Sequence, residues 1–529
     1  MTESSSLTVV TESLVMANLA AENPLPNIGK PLESPYSISG DIPAEIIANS
    51  TYGHPSTLHP YQLQDQFDRE LQEVECTVVV LENRHLRARF LPGLGGRLWE
   101  LIDKATGKNL LHTPEQIQFG NLALRNAWFA GGIEWNIGTR GHSPSTCSPL
   151  HAAVVELADG SQALRMWEFD RLREVVFQVD AWLPDDSAVL NVAIRISNPN
   201  DHEVPIYWWS NAAAPQTDQT RVIAPASSAF ASDYENGIKR QTPHELDGVD
   251  CTWPSKNQHA ADYFFDIAAE QRRWIVAADA DGDGLAMLST ERLRGRKLFV
   301  WGEGAGGQRW QQWLSPDGGK YAEIQAGLAQ TQFENLPLPA GDSWSWLECY
   351  GNAQVGPATA HAAWPEAVEG VGRWVEGLLP AAQLEATFRS WQEWADQAPA
   401  RSIQQGSGWG ALELLARRTT SSEWSYSGIP FDESTLGTAQ QPWLALLREG
   451  TFEGSEGFVN GAKWNVALAQ ATGDGAEIAF HQGTLAQAAG QDAEAAEQYR
   501  RCLELAGEST SSTLRAFRLP WIGDRGVRS

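Results

Sequence analysis

Two kinds of hydrophobic spacing divide this chain. Up to about residue 355, apolar residues sit in short alternating runs separated by Gly, Pro, Asn and Asp turns, the period-two pattern of strands. The clearest runs are 76–81, 85–91, 188–196, 274–278, 297–301 and 343–350. Strands at this spacing without helical patterns between them predict an antiparallel sandwich. Beyond about residue 360 the composition shifts to Ala, Glu, Gln, Leu and Arg, and apolar positions return every three or four residues. This predicts helices over 367–379, 384–395, 411–418, 442–448, 462–471, 477–489 and 492–505. The expected organisation is a lead-in with some β elements over 1–72, a β-sandwich over 73–355 and a helical region over 360–529. The lead-in carries a Pro-rich connection (Pro24, Pro26, Pro31, Pro35) and a polar stretch around 62–73.

Residues 479–490 and 492–505 pair as helix, turn and helix. Gly483, Ala495 and Tyr499 fall at offsets used by tetratricopeptide repeats, where small residues let two helices approach. A degenerate second unit lies around 464–473. An independent solenoid needs about three repeats, so these helices are expected to pack on the β region or on a second copy of the chain. A homodimer through this Ala-rich tail is the expected assembly, and a peptide groove the other use.

Charge narrows the partners. With 39 Lys and Arg against 66 Asp and Glu, the chain carries a formal −27, which disfavours nucleic acid, anionic membranes and polyanionic substrates. Five scattered Cys without a CxxC pair point to a reducing compartment. Glu3 and Glu12 interrupt an N-terminus that lacks a basic cluster, so no signal peptide is expected. No run of about 18 apolar residues is present either. The cytoplasm is the expected location. The 23 Trp stand out; indoles cover sugar rings and lend an N–H, although large β cores use them too.

Four segments could carry chemistry. Pro92 to Leu101 holds Gly93, Gly95, Gly96 and Arg97 in a tight turn or bulge between strands. Trp128 to Gly138 contains Gly131, Gly132, Glu134, Trp135 and Asn136, with His142 eight residues beyond Glu134. Gly131 and Gly132 would let backbone approach a ligand, and Glu134 between Ile133 and Trp135 should be poorly hydrated, with its pKa raised toward that of a general acid. In Val204 to Asn211, alternation places Tyr207, Trp209 and Asn211 on one face and Trp208 and Ser210 on the other. Lys297 to Gly327 contributes Trp301, Glu303, Trp313, Glu323 and Gln325. Glu323 and Gln325, two apart on a strand, share a face and form a sugar-reading surface. Asp279, Asp281 and Asp283 open like a calcium loop, but Thr290 stands where the bidentate Glu belongs; a turn between strands is expected. No metal or cofactor is predicted.

Several of these segments in order, GGIEWN, GHSPST, YWWSN, KLFVWG and YAEIQAG, resemble the galactose-mutarotase-like (aldose epimerase-like) superfamily, and within it mutarotase-like proteins with appended tetratricopeptide-type helices. The likeness runs from Glu75 to about Asn352. It implies a large antiparallel β-supersandwich followed by helical hairpins, and makes Glu323, in the E-x-Q motif Glu323-Ile324-Gln325, the catalytic base. Where mutarotases carry an acid His on the YWWSN strand, this chain has Ser210 and Asn211, which cannot protonate a ring oxygen; the acid role then falls to His142 or Glu134.

Three functions follow, all with a mono- or oligosaccharide as partner. The leading expectation is a glycoside hydrolase with Glu134 as acid and Glu323 as base or nucleophile. Arg97, Trp135, Asn136, Trp209, Asn211, Trp301, Glu303, Trp313 and Gln325 would hold the sugar. The second is an aldose mutarotase using Glu323 and His142. The third is a non-catalytic saccharide-binding scaffold.

Overall fold

The computed structural model describes residues 4–29, 38, 40–232, 234, 237–418, 424, 426–454 and 456–506. Pro31 and Pro35 of the expected Pro-rich connection, and the end of the helical region from 507, lie outside them.

Two large, mainly antiparallel sheets pack face to face. The first has twelve strands. Its centre runs, in hydrogen-bonded order, through Ala261–Phe265, Gly295–Val300, Tyr321–Gly327, Trp208–Pro215, Ile133–Ile137 and Arg97–Asp103. The second has nine, centred on Gly284–Ser289, Ser343–Asn352, Val189–Ser197, Val175–Trp182 and Gln162–Asp170. Alternation decides which side chains meet between them. Ile133, Trp135, Trp208, Ala212, Leu298 and Ile324 from the first sheet join Met166, Phe177, Val179, Ile194 and Leu347 from the second in one buried cluster. The alternate residues of the first sheet, Glu134, Asn211, Glu323, Gln325 and Lys297, therefore point away from the core.

The lead-in is part of this sandwich. Ser6–Ala17 pairs along its whole length with Leu71–Glu82, because both carry a period-two apolar face. The helix Ala44–Thr51 brings Ile46 onto Tyr207, Trp209 and Phe264. The boundary expected at 72 falls inside the strand Leu71–Glu82. The β region also contains a helix, Ala305–Leu314, where the sequence pattern predicts none; its Gly-rich start hides the periodicity.

The seven predicted helices are present, 492–505 with the same ends and the others with one or both ends moved by up to three residues. Trp364–Leu378 and Ala381–Trp394 bury Val371, Val375, Leu384 and Trp391 against the sandwich core. Trp409, Ala411, Trp424, Ile429 and Phe431 cover Ala153, Trp167, Phe169 and Val176 on the outer face of the second sheet. Arg401–Gln404 adds an edge strand to that sheet. Gly475–Ala488 and Asp492–Leu505 form the hairpin, with Gly483 facing the Tyr499 ring. The outer face of the first sheet is left to other uses.

Candidate functional site

Register on the first sheet builds a row of polar side chains. Asn211 lies opposite Glu134 on one side and Gln325 on the other, and Gln325 lies opposite Lys297. One step along, Glu323 lies opposite Ala213 and Phe299, and Phe299 opposite Asp262. All point to one face because strand side chains repeat every two residues. Above them is a cavity of about 1040 Å³, lined by His142, Asn211, Trp301, Glu323 and Gln325 among the expected residues. The lead-in (Thr51, His54, Pro55) and the start of the Ala305–Leu314 helix complete its walls.

Glu323 is buried. Its Oε2 accepts from Gln325 Nε2 at 2.7 Å, and Gln325 in turn accepts from Gln332. Burial raises its pKa, while His142 and Lys297 draw it partly back. A carboxylate in this state is a stronger base than one in water. Lys297 pairs with Asp262 at 2.6 Å on the same cavity wall. One polar atom of the wall, Asn211 Oδ1, is buried without a partner among the described residues, which leaves hydrogen-bonding capacity there.

The expectation for Glu134 is corrected. Ile133 and Trp135 cannot desolvate it, since alternation sends both into the inter-sheet core. On its own face the carboxylate accepts from His142 Nδ1 (2.8 Å), Thr146 Oγ1 (2.6 Å) and Trp128 Nε1 (3.1 Å), with Arg97 at 3.6 Å. Burial alone would raise its pKa; His142, Arg97 and Thr146 outweigh it and hold the group down to about 2. Glu134 is therefore ionised, and it sits behind His142 instead of on the cavity wall. An ionised carboxylate only accepts, so Nδ1 of His142 donates a proton to it and Nε2 is left to face the cavity. Trp128 lies against the imidazole at 4.6 Å between ring centres.

Six residues expected to hold substrate lie off the cavity wall: Arg97, Trp135, Asn136, Trp209, Glu303 and Trp313. Arg97 is buried behind Glu134, donating to Phe129 O, Gly131 O and Thr146 Oγ1. Trp135 faces the inner core and donates to Gly96 O. Asn136 accepts from Ser143 N at 2.7 Å and so pins the loop that carries His142. Trp209 does point outward, but its indole lies flat in a slot that Gly295 and Gly327 leave open; a Cβ on Gly327 would come within 2.1 Å of it. Glu303 is bound by Lys320 and Gln216. Trp313 donates to Phe119 O and lies under the Arg69 guanidinium. Gly131 and Gly132 serve protein packing: a Cβ at Gly132, where φ is +69°, would meet Leu98 O at 2.4 Å.

The sequence reading missed Lys297, Asp262, Phe299, Gln332 and Trp310. Lys297, Phe299 and Trp301 share one face of a strand by alternation, a signal that was present. Gln332 lies in a loop and had none. The Asp279, Asp281 and Asp283 cluster is a turn between the Trp274–Ala278 and Gly284–Ser289 strands, and the Lys108 ammonium sits among the three carboxylates at 2.8–3.1 Å. Among the described residues no helix is long and apolar enough to cross a membrane.

Comparison with solved structures gives the same architecture. The chain is similar to a TPR-domain-containing protein from Parabacteroides distasonis, with 17% identity, coverage of 96% of this chain and 81% of that one, and a TM-score of 0.64. Over 52% of its length it is similar to galactose mutarotase-like proteins. One, from Clostridium acetobutylicum, shows 13% identity, 95% of that chain covered and a TM-score of 0.40. Another, from Lactobacillus casei, shows 11% identity, 99% covered and 0.35. The model of the family described as Domain of unknown function (DUF5107) matches residues 54–341, more than half of the 529 residues, and the chain belongs to that family.

Proposed function

We propose that this protein is a carbohydrate-active enzyme that moves protons at the anomeric centre of a sugar, interconverting its anomers. The observation that carries this reading is that His142, backed by ionised Glu134, and buried Glu323, backed by Gln325, line one cavity. With His142 as the imidazolium, its Nδ1–H held by Glu134, Glu323 takes the proton from the anomeric hydroxyl as Nε2–H gives its own to the ring oxygen. The C1–O5 bond breaks and a carbonyl forms at C1. After rotation about C1–C2, oxygen O5 attacks the other face of the carbonyl and both protons return. Each group ends as it began, so no external reductant or oxidant is consumed. Asn211, Gln325, Lys297 and Asp262 supply donors and acceptors to hydroxyls, and Trp301 and Phe299 supply apolar faces. The E-x-Q motif resemblance of Glu323 supports the same assignment.

Hydrolysis by a Glu134/Glu323 pair is not proposed, because glycosidic oxygen needs a protonated acid within reach and Glu134 is ionised and enclosed. The test is the approach to equilibrium of freshly dissolved α-anomers of glucose, galactose and mannose, followed by polarimetry or exchange NMR. Acceleration that is lost in both Glu323→Gln and His142→Asn supports the proposal. Release of sugar from aryl glycosides without acceleration would replace it with hydrolysis, and sugar binding with neither activity would leave a binding protein.

A further inference from the structure

The cavity is larger than the proposed chemistry needs. Anomer exchange engages one ring, yet about 1040 Å³ lies at the upper limit of pockets that enclose a drug-sized ligand. The excess space has a defined direction. Phe299 lies directly beside Glu323 in register. The Trp301 ring meets Phe299 edge-on at 4.9 Å, and Trp310 follows at 6.2 Å from Trp301. All three line the cavity. Phe299 and Trp310 are partly open to it, so this aromatic run leads away from the base, from the sheet onto the Ala305–Leu314 helix.

The wall beside Trp310 is made of Gly304, Ala305, Gly306 and Gly307. Gly307 cannot carry a side chain, since its Cβ would come within 2.2 Å of Trp301 O and Gly302 O. Gly306 could carry one, because nothing lies within 4 Å of its Cβ position; its bareness keeps the space empty. Of the charged residues lining the cavity, Asp262 pairs with Lys297, and Arg140 and Glu323 are one of each sign, so the wall offers no excess of positive charge, and the strongly acidic chain repels an anionic glycan.

We infer that the substrate is a neutral oligosaccharide whose reducing-end ring sits between His142 and Glu323 and whose following rings lie along Phe299, Trp301 and Trp310. This rests on the proposed function for the position of the reducing end only. Aromatic faces cover the apolar faces of sugar rings while leaving the hydroxyls free, and they continue past the point where one ring ends.

Calorimetry with neutral one- to four-ring saccharides of glucose, galactose and mannose tests it, using the full chain. In the series that fits, affinity should rise by about tenfold from one ring to two or three. Trp310→Ala and, independently, Gly306→Phe should remove that gain while monosaccharide affinity stays within about twofold. The two variants act oppositely on the wall, one emptying it and one filling it, so a folding defect in one does not decide the matter. Affinity that is flat with chain length in every series overturns the inference, as does equal loss for one ring and for three. Anomer exchange on monosaccharides with flat affinity sinks the inference and leaves the proposed function standing; chain-length-dependent binding without exchange does the reverse.

Discussion

Nδ1 of His142 donates to Oε2 of Glu134 across 2.8 Å, and Glu134 stands behind the imidazole, away from the cavity. The eight-residue spacing that looked like two separate candidates is one unit. The strand supplies a fixed anion, and the following loop supplies the group that faces the cavity. Asn136 fixes the loop through Ser143 N, two residues along the same strand from Glu134.

Replacing Glu134 by Gln keeps the shape and removes the charge behind His142. The expected result is a loss of about 10²–10³ in kcat for anomer exchange, the scale of a positioned acid or base, with little change in KM. His142→Asn should fall by a similar factor, and the double variant little further, because the two act as one group. A rise in KM at unchanged kcat would make Glu134 a binding residue instead.

The two carboxylates should affect stability in opposite senses. Glu134 is held at about 2 against an ordinary 4.5, so it contributes stability above the ordinary value, and that contribution drains away as pH falls toward 2. Glu323 has a raised folded value; its contribution is present below the ordinary value and is lost as pH rises through the raised one. Glu323→Gln should therefore raise the thermal midpoint near pH 7 while abolishing exchange, and Glu134→Gln should lower it. Both differences should shrink near pH 4. Thermal scans of the three proteins across this range check the signs; a Glu323→Gln protein less stable at neutral pH would contradict the burial argument.

The helical layer is tied to the second sheet by a fully buried pair. Arg165 Nε and Nη2 each donate to Asp180 at 2.7 Å, Trp391 Nε1 donates to the same carboxylate at 2.9 Å, and Arg165 Nη1 reaches Gln397 O and Gly428 O. Asp180→Ala strands the guanidinium and should cost about 3–5 kcal/mol. Arg165→Met with Asp180→Leu should recover much of that loss, since it removes both charges at once. Denaturant midpoints for the single and double variants test this.

Much of the fold was legible because its signals are local. The 274–278 strand and the 492–505 helix stand where their spacing put them, with the same ends. The cavity helix was not legible, since Gly304, Gly306 and Gly307 give no apolar period and one of the two side chains it buries, Gln311, is polar. At the site, alternation placed Glu323, Gln325 and Asn211 together. What it could not supply was depth: Trp209 shares their face but is absorbed by the slot between Gly295 and Gly327, two glycines remote in sequence. The ionisation of Glu134 was hidden for a related reason. Its sequence neighbours Ile133 and Trp135 point the other way, and the groups that set its charge, His142, Arg97 and Thr146, come from the following loop and a different strand.

The terminal hairpin depends on the absence of one side chain. A Cβ at Gly483 would stand 2.7 Å from the Tyr499 ring, so Gly483→Val must push the two helices apart or turn the tyrosine out. Overpacking of this kind costs about 1–3 kcal/mol. The hairpin contributes no residue to the cavity wall, so sugar binding should be unchanged. Amide exchange should quicken over Gly475–Ala488 and Asp492–Leu505 while the Tyr321–Gly327 strand keeps its protection. Adding Tyr499→Ala should restore part of the lost protection, because it clears the atoms the new methyls meet. Exchange that instead rises evenly across both sheets would show that the hairpin and the sandwich unfold as one cooperative unit, and that the tail is needed to keep the cavity in shape.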